Sequence, residues 1–267
     1  MTTTGLIVLF LLIFVSVWSH FRDRKKFARF KSLDSTEARQ ECLRKNTLEA
    51  FFLYGLAALA TLILLDASSS LQRMPDFLLD LSESIRAFTV SGEGMSFWRI
   101  ARIFLVAFIP LLLFAAPVLT WISVYQNHRQ GVTADAEVTN QEIQHLLPRN
   151  AKEKIWVTLL SVNAGVCEEL FFRLSVPILL FEVTGSTWIS IIGSSIWFGL
   201  AHAYQGISGV ISTTLAGLML FYIYLLSQNI WFAVAVHIFL DLNGLIFTQE
   251  LRDYLSKNKM KEIDTTG

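Results

Sequence analysis

The chain has 267 residues, of which 53% are hydrophobic and 16% charged, and its mean hydropathy is +0.50. A soluble domain carries about 25% charged residues, so roughly a third of that charge is missing. Twenty-two Lys and Arg balance twenty-two Asp and Glu, which leaves no electrostatic reason to bind nucleic acid. Two cysteines, Cys42 and Cys167, are too few for a disulfide framework or a cysteine zinc cage. What remains is an all-α, polytopic transmembrane helical bundle whose first partner is the lipid bilayer.

A spanning helix needs about 20 mainly apolar residues. About seven stretches reach or approach that length: Gly5 to Phe21, Thr47 to Leu65, Ile103 to Tyr125, Ile155 to Phe181, Thr187 to Ala203, Ile207 to Leu226, and Ile230 to Phe247. The first reads as a retained helix and not as a signal peptide, because no basic residue precedes it and its exit, Trp18-Ser19-His20-Phe21-Arg22, lacks small residues at a cleavage site. Arg22, Arg24, Lys25, Lys26, Arg29 and Lys31 follow it as a basic loop opposed only by Asp23, which the positive-inside rule places in the cytoplasm. The acidic-leaning loop Asp66 to Arg99, with Asp76, Asp80, Glu83 and Glu93, then faces outward. Pro110 and Pro117 are expected to kink the third stretch. The tail with Arg252, Lys257, Lys259 and Lys261 returns to the cytoplasm after six further crossings. This is the pattern of a multi-pass protein of a bacterial plasma membrane. Residues 1–150 are expected to form N-terminal transmembrane helices and loops. Residues 151–250 carry the chemistry within the same membrane-embedded unit, and 251–267 form a cytoplasmic tail.

The fourth stretch contains Cys167-Glu168-Glu169-Leu170-Phe171-Phe172-Arg173. Each charge at a helix centre costs roughly 2.5–3.5 kcal/mol on insertion scales, so three unpaired charges would cost of order 8–10 kcal/mol. Glu169 and Arg173 stand at i and i+4, in the better order for an ion pair. Glu168 is turned from them by about 100° and is left free for work. A structural ion-pair network is the plain alternative, and the second glutamate weakens it. His202 closes the fifth stretch, and His237 and Asp241 share one face of the seventh. Two carboxylates, two imidazoles and an Asp on three apolar stretches suit activating a water and stabilising an oxyanion, or holding a divalent metal such as zinc. His20, His128 and His145, at stretch ends or in loops, read as solvated.

These three segments resemble the CAAX prenyl protease 2 and bacteriocin-processing family of intramembrane proteases (CPBP, or Abi), with its ordered E-E-x-x-x-R, F-x-x-x-H and H-x-x-x-N/D motifs. Glu168, Glu169 and Arg173 fill the first, Phe198 and His202 the second, and His237 and Asp241 the third. The resemblance covers roughly residues 155–247. It implies endopeptidase hydrolysis of a membrane-associated protein or peptide. Glu168 would be the general base and His202 would position the water. Glu169 with Arg173 would hold the first helix in register, while His237 and Asp241 would stabilise the oxyanion. The family has been described both as metalloproteases and as glutamate-dependent enzymes, and the sequence leaves the cofactor open between a divalent metal and none. It contains no H-E-x-x-H.

Other readings compete. Gly206-Ile207-Ser208-Gly209 spells the G-x-S-G of rhomboid proteases, which would pair Ser208 with His237, but that leaves the buried charges unexplained. A transporter, a membrane scaffold or an immunity-type protein on the same fold is the non-enzyme alternative. Cys167 reads as a small packing residue.

Overall fold

The computed structural model describes residues 3–90, 97–130 and 144–266, and every regular element among them is helical. Helix α1 (Thr3–Lys31) is followed by α2 (Thr36–Ala50), a π-helical turn at Phe51–Leu56, and α3 (Ala57–Leu64). Next come α4 (Asp76–Val90) and α5 (Phe97–Gln130). Helix α6 (Ala151–Glu169) runs through a second π-helical turn, Leu170–Ser175, into α7 (Val176–Thr184). Then come α8 (Thr187–Ala201), α9 (Gly206–Ser227), α10 (Ile230–Leu242), a third π-helical turn at Asn243–Phe247, and α11 (Thr248–Thr266).

Local chemistry explains the breaks. Ser35, Asn150, Ser186 and Asn229 each accept a backbone N–H of the first turn of the helix they precede, which satisfies a donor that the helix itself cannot. Helix α7 ends on Gly185 at φ 65°, a left-handed position that glycine adopts without penalty.

Among the described residues, four helical stretches are long and apolar enough to cross a membrane: Thr3–Lys31, Thr36–Leu64, Ala203–Ser227 and Ile230–Lys257. A fifth, Arg99–Phe108 with Pro110–Gln130, passes as a pair bent by 55°, because Pro110 lacks the N–H that would continue the ladder. The stretch Ile155 to Phe181 is not among the four. It is helical throughout, but Glu168, Glu169 and Arg173 lower its hydropathy. Helix α8 has 15 residues, about 22 Å against a hydrocarbon core of about 30 Å.

Three expectations change. The basic residues Arg22 to Lys31 form the last turns of α1 and not a loop. No helix breaker lies among them, and Arg22 and Lys26 are paired with Asp23 and Glu49. The second stretch starts eleven residues before Thr47 at Thr36, since the polar turns of α2 rest on α6. The segment Asp66 to Arg99 contains the amphipathic α4, whose Ser82 donates to the Leu225 carbonyl at 2.6 Å; Glu93 lies outside the described residues. The described N-terminal elements are stitched to the later ones elsewhere as well: Trp197 donates to Ser16 at 3.0 Å, Tyr222 to the Val106 carbonyl at 3.0 Å, and Ser175 to the Ala58 carbonyl at 3.0 Å.

The core lies where α3, α4, the second π turn, α8 and α9 meet, with Leu62, Leu78, Phe172, Leu174, Phe198 and Phe221 buried. Large apolar side chains on α1, such as Phe10 (71% exposed) and Phe14 (64%), point away from it. So much exposed apolar surface is stable only against lipid.

Candidate active site

Helix α6 delivers Glu168 and Glu169 together, and both are buried. Glu169 is fully committed. Its Oε2 lies 3.1 Å from Arg173 Nε and its Oε1 lies 2.7 Å from His237 Nδ1. A carboxylate only accepts, so Nδ1 carries the hydrogen that His237 donates. The arginine contact is an ion pair and not a well-aligned hydrogen bond, since neither Nε nor Oε2 has a directed partner. Arg173 also reaches the Gly217 carbonyl at 3.5 Å. Glu168 is handled differently: its Oε2 is also buried with no hydrogen-bond partner, but among the described residues it has no ion pair such as the one that engages Glu169 Oε2.

Phe198 organises the groups around it. The Arg173 guanidinium lies 4.5 Å over its ring, a cation–π contact that stabilises a buried charge. His202 packs against the same ring at 4.8 Å between centroids, and His237 meets it edge-on at 6.0 Å. His202 Nδ1 lies 2.9 Å from the Phe198 carbonyl. A carbonyl only accepts, so this nitrogen also carries a hydrogen and Nε2 of the neutral ring keeps its lone pair. The phenylalanine and histidine of one motif are therefore coupled through both ring and backbone.

His237 Nε2 and Asp241 Oδ1 are 3.9 Å apart on one face of α10, and the Asp241 side chain is 34% exposed. The close approach of α6 and α10 that this arrangement needs is provided at Gly165: a Cβ there would run into the Ile238 side chain and come within 3.2 Å of its backbone nitrogen.

A cavity of about 180 Å³ is lined by Glu168, His202, Tyr54, Tyr204, Arg22 and Glu49, among others. His237 and Asp241 are not part of its lining. Six sequence-predicted residues are thus divided between the cavity wall (Glu168, His202), the buried network behind it (Glu169, Arg173, His237), and the flanking Asp241. A second, apolar cavity of about 460 Å³ lies between α1 and α8 and shares Tyr54 and Ala201 with the first.

Among the described residues, no three of His, Cys, Asp and Glu converge as ligands of one ion. Glu169, one of the potential ligands, is taken up by Arg173 and His237. Among the described residues the site thus presents no ready-made set of three metal ligands.

Ser208 is exposed in the first turn of α9, and the nitrogen of His237 that would serve a serine is the separate Nε2, facing Asp241. Cys167 packs against Gly55, with its Sγ 3.4 Å from Asn163 Oδ1. His20, His128 and His145 are half-buried and not freely solvated; the His145 carbonyl accepts from Arg39 at 3.1 Å.

Sequence reasoning missed a second buried ion pair and the two tyrosines. Arg39 Nε lies 3.1 Å from Glu153 Oε2, both fully buried. Arg39 also donates to the Leu147 carbonyl at 3.2 Å, and its guanidinium lies 4.4 Å over Phe30. Glu153 accepts from the Arg149 N–H at 3.0 Å. The local sequence marks Glu153 only as an acidic residue three places after an Asn cap. Nothing local marks Arg39.

The segment that carries this geometry is also the one with a recognisable relative. Residues 150–243 match the family model "Type II CAAX prenyl endopeptidase Rce1-like", so the chain carries an Rce1-like segment from α6 to the end of α10. No curated protein and no solved structure matches the chain.

Proposed function

We propose that this protein is a multi-pass intramembrane endopeptidase that hydrolyses a peptide bond in a membrane-associated protein or peptide through a glutamate-activated water. The observation that carries the reading is the unequal treatment of adjacent glutamates. Glu169 has both oxygens engaged, whereas Glu168 keeps a buried, unpartnered Oε2 at a cavity that it shares with His202. The Rce1-like match over residues 150–243 supports a protease.

The steps derive from the side chains. Glu168 removes a proton from water while His202 Nε2 accepts the other water hydrogen, and the oxygen attacks the scissile carbonyl carbon. His237, anchored at Nδ1 by Glu169, donates from Nε2 to the developing oxyanion when both ring nitrogens are protonated, and Asp241 orients it. The tetrahedral intermediate collapses, the C–N bond breaks, and Glu168 returns its proton to the leaving amine. Around this site, the charged stretch α6–α7 and the short α8 complete seven crossings with the five apolar ones. The basic end of α1 and the tail after α10 face the cytoplasm.

The test is turnover of a fluorogenic peptide ending in a prenylated CAAX sequence, with its unprenylated counterpart alongside, by purified protein in detergent. Wild type is expected to cleave, and Glu168→Gln to be inactive at normal abundance. Wild-type turnover by Glu168→Gln would rule out the proposed base.

A further inference from the structure

The site is framed by backbone turns of one unusual kind. Leu170–Ser175 comes directly after Glu168 and Glu169 and contains Arg173, while Asn243–Phe247 begins two residues after Asp241. The first π-helical turn, Phe51–Leu56, lies in the half of the chain that the family match does not reach, and it contains Tyr54. Single π turns concentrate at functional sites because the widened turn aims a side chain that a regular helix would not. Tyr54 is aimed at the cavity of Glu168 and His202. Its ring is held edge-on by Phe171 at 5.4 Å and packs against Phe172 at 5.5 Å, both in the π turn just past Glu168. The next residue, Gly55, lies so close to Cys167 that a Cβ would strike its Sγ, which brings this turn against the end of α6.

The hydrogen-bonding capacity of the cavity is lopsided. Glu168 can only accept when ionised, and His202, with Nδ1 spent on the Phe198 carbonyl, offers only an accepting Nε2. A water between them gives both of its hydrogens away and lacks a donor to hold its oxygen. Arg22 and Lys26 line the cavity but are paired with Asp23 and Glu49, and the Asn46 amide is turned to Cys42. The hydroxyls on the wall are those of Tyr54 and Tyr204. Tyr204 accepts from Gln205 at 3.1 Å, a bond that anchors its oxygen beside α8 and leaves its O–H able to donate, whereas Tyr54 is placed by the π turn and by Phe171 and Phe172 next to the end of α6 that carries Glu168.

We infer that Tyr54 is a further catalytic residue, whose hydroxyl donates to the attacking water and so fixes its oxygen with one lone pair toward the scissile carbonyl. Water then makes three hydrogen bonds, two given and one received, which matches the two to four partners of an ordered buried water. No bond is formed or broken at Tyr54. The proton still moves from water to Glu168 and on to the amine.

The inference rests on the proposed hydrolase, and its test separates the two. With the prenylated CAAX peptide, Tyr54→Phe keeps the ring packing and is expected to lower kcat about tenfold at unchanged KM. Its melting temperature in detergent should remain that of wild type. Tyr204→Phe is expected to lose less. Unchanged kcat in Tyr54→Phe, a rise in KM alone, or a larger loss in Tyr204→Phe would each overturn the assignment. If Tyr54→Phe melts lower, Tyr54→Trp, which retains an aromatic donor, should recover more kcat than Tyr54→Leu; equal kcat in the two would also overturn it. Should Glu168→Gln retain turnover in the same assay, it is the hydrolase reading itself that fails.

Discussion

Glu169 Oε1 and His237 Nδ1 lie 2.7 Å apart, joining residues separated by 68 positions in the chain. The same carboxylate holds Arg173 at 3.1 Å through its other oxygen. One buried anion thus ties a cation on its own helix to an imidazole on another. The adjacent Glu168 is spared that duty. How the duty is divided, and what holds the helices in place, can be measured through four sets of variants.

Glu169→Gln should damage folding where Glu168→Gln does not. Loss of the Glu169 charge leaves Arg173 buried without its ion, and breaking one side of a buried pair costs about 3–5 kcal/mol. Melting in detergent and membrane abundance are the measurements. Equal abundance and equal melting of the two variants would remove the claimed division.

Gly165→Ala should loosen the contact between α6 and α10. The added methyl meets the Ile238 side chain and, at 3.2 Å, its backbone nitrogen, next to His237. A loss of about 1–3 kcal/mol is expected from overpacking, together with reduced turnover. Trimming Ile238→Ala in the same protein should restore part of it. Gly193→Ala is the control, because the neighbour at 3.1 Å is the mobile Cδ1 of Leu180. A Gly165→Ala protein with normal stability and rate would refute the close-approach argument.

Arg39 and Glu153 should behave as a structural pair away from the cavity wall. Glu153→Gln is expected to lower stability by about 3–5 kcal/mol, whereas Arg39→Met with Glu153→Leu should recover much of it by replacing the charges with apolar volume. Urea or thermal denaturation of the purified variants checks this. A double variant no better than Glu153→Gln would show that the hydrogen bonds to Arg149 and to the Leu147 carbonyl matter more than the charges.

Asp241→Asn should retain most activity. The amide keeps the geometry next to His237 Nε2, 3.9 Å away, and can itself donate to an oxyanion. Wild-type turnover should likewise survive dialysis against a chelator. An inactive Asp241→Asn enzyme rescued by added divalent metal would show that Asp241 is instead a ligand.

Several features are legible in the amino-acid sequence because they depend on neighbours a few positions away. Low charge and long apolar stretches dictate helices facing lipid. The i, i+4 spacing brings Glu169 and Arg173 together on any helix, and Pro110 bends α5 wherever it lies. The tertiary structure alone decided the rest. The second partner of Glu169, the pairing of Arg39 with Glu153, the packing of α4 against α9 and the arrival of Tyr54 beside Glu168 all join positions far apart in the chain. Helix packing selects such contacts, and no local pattern encodes them. The three π-helical turns add a further reason. Each inserts an extra residue into a helical turn and rotates the rest of the helix, so a 3.6-residue period read through Phe51–Leu56 or Leu170–Ser175 gives the wrong facing for the side chains beyond it.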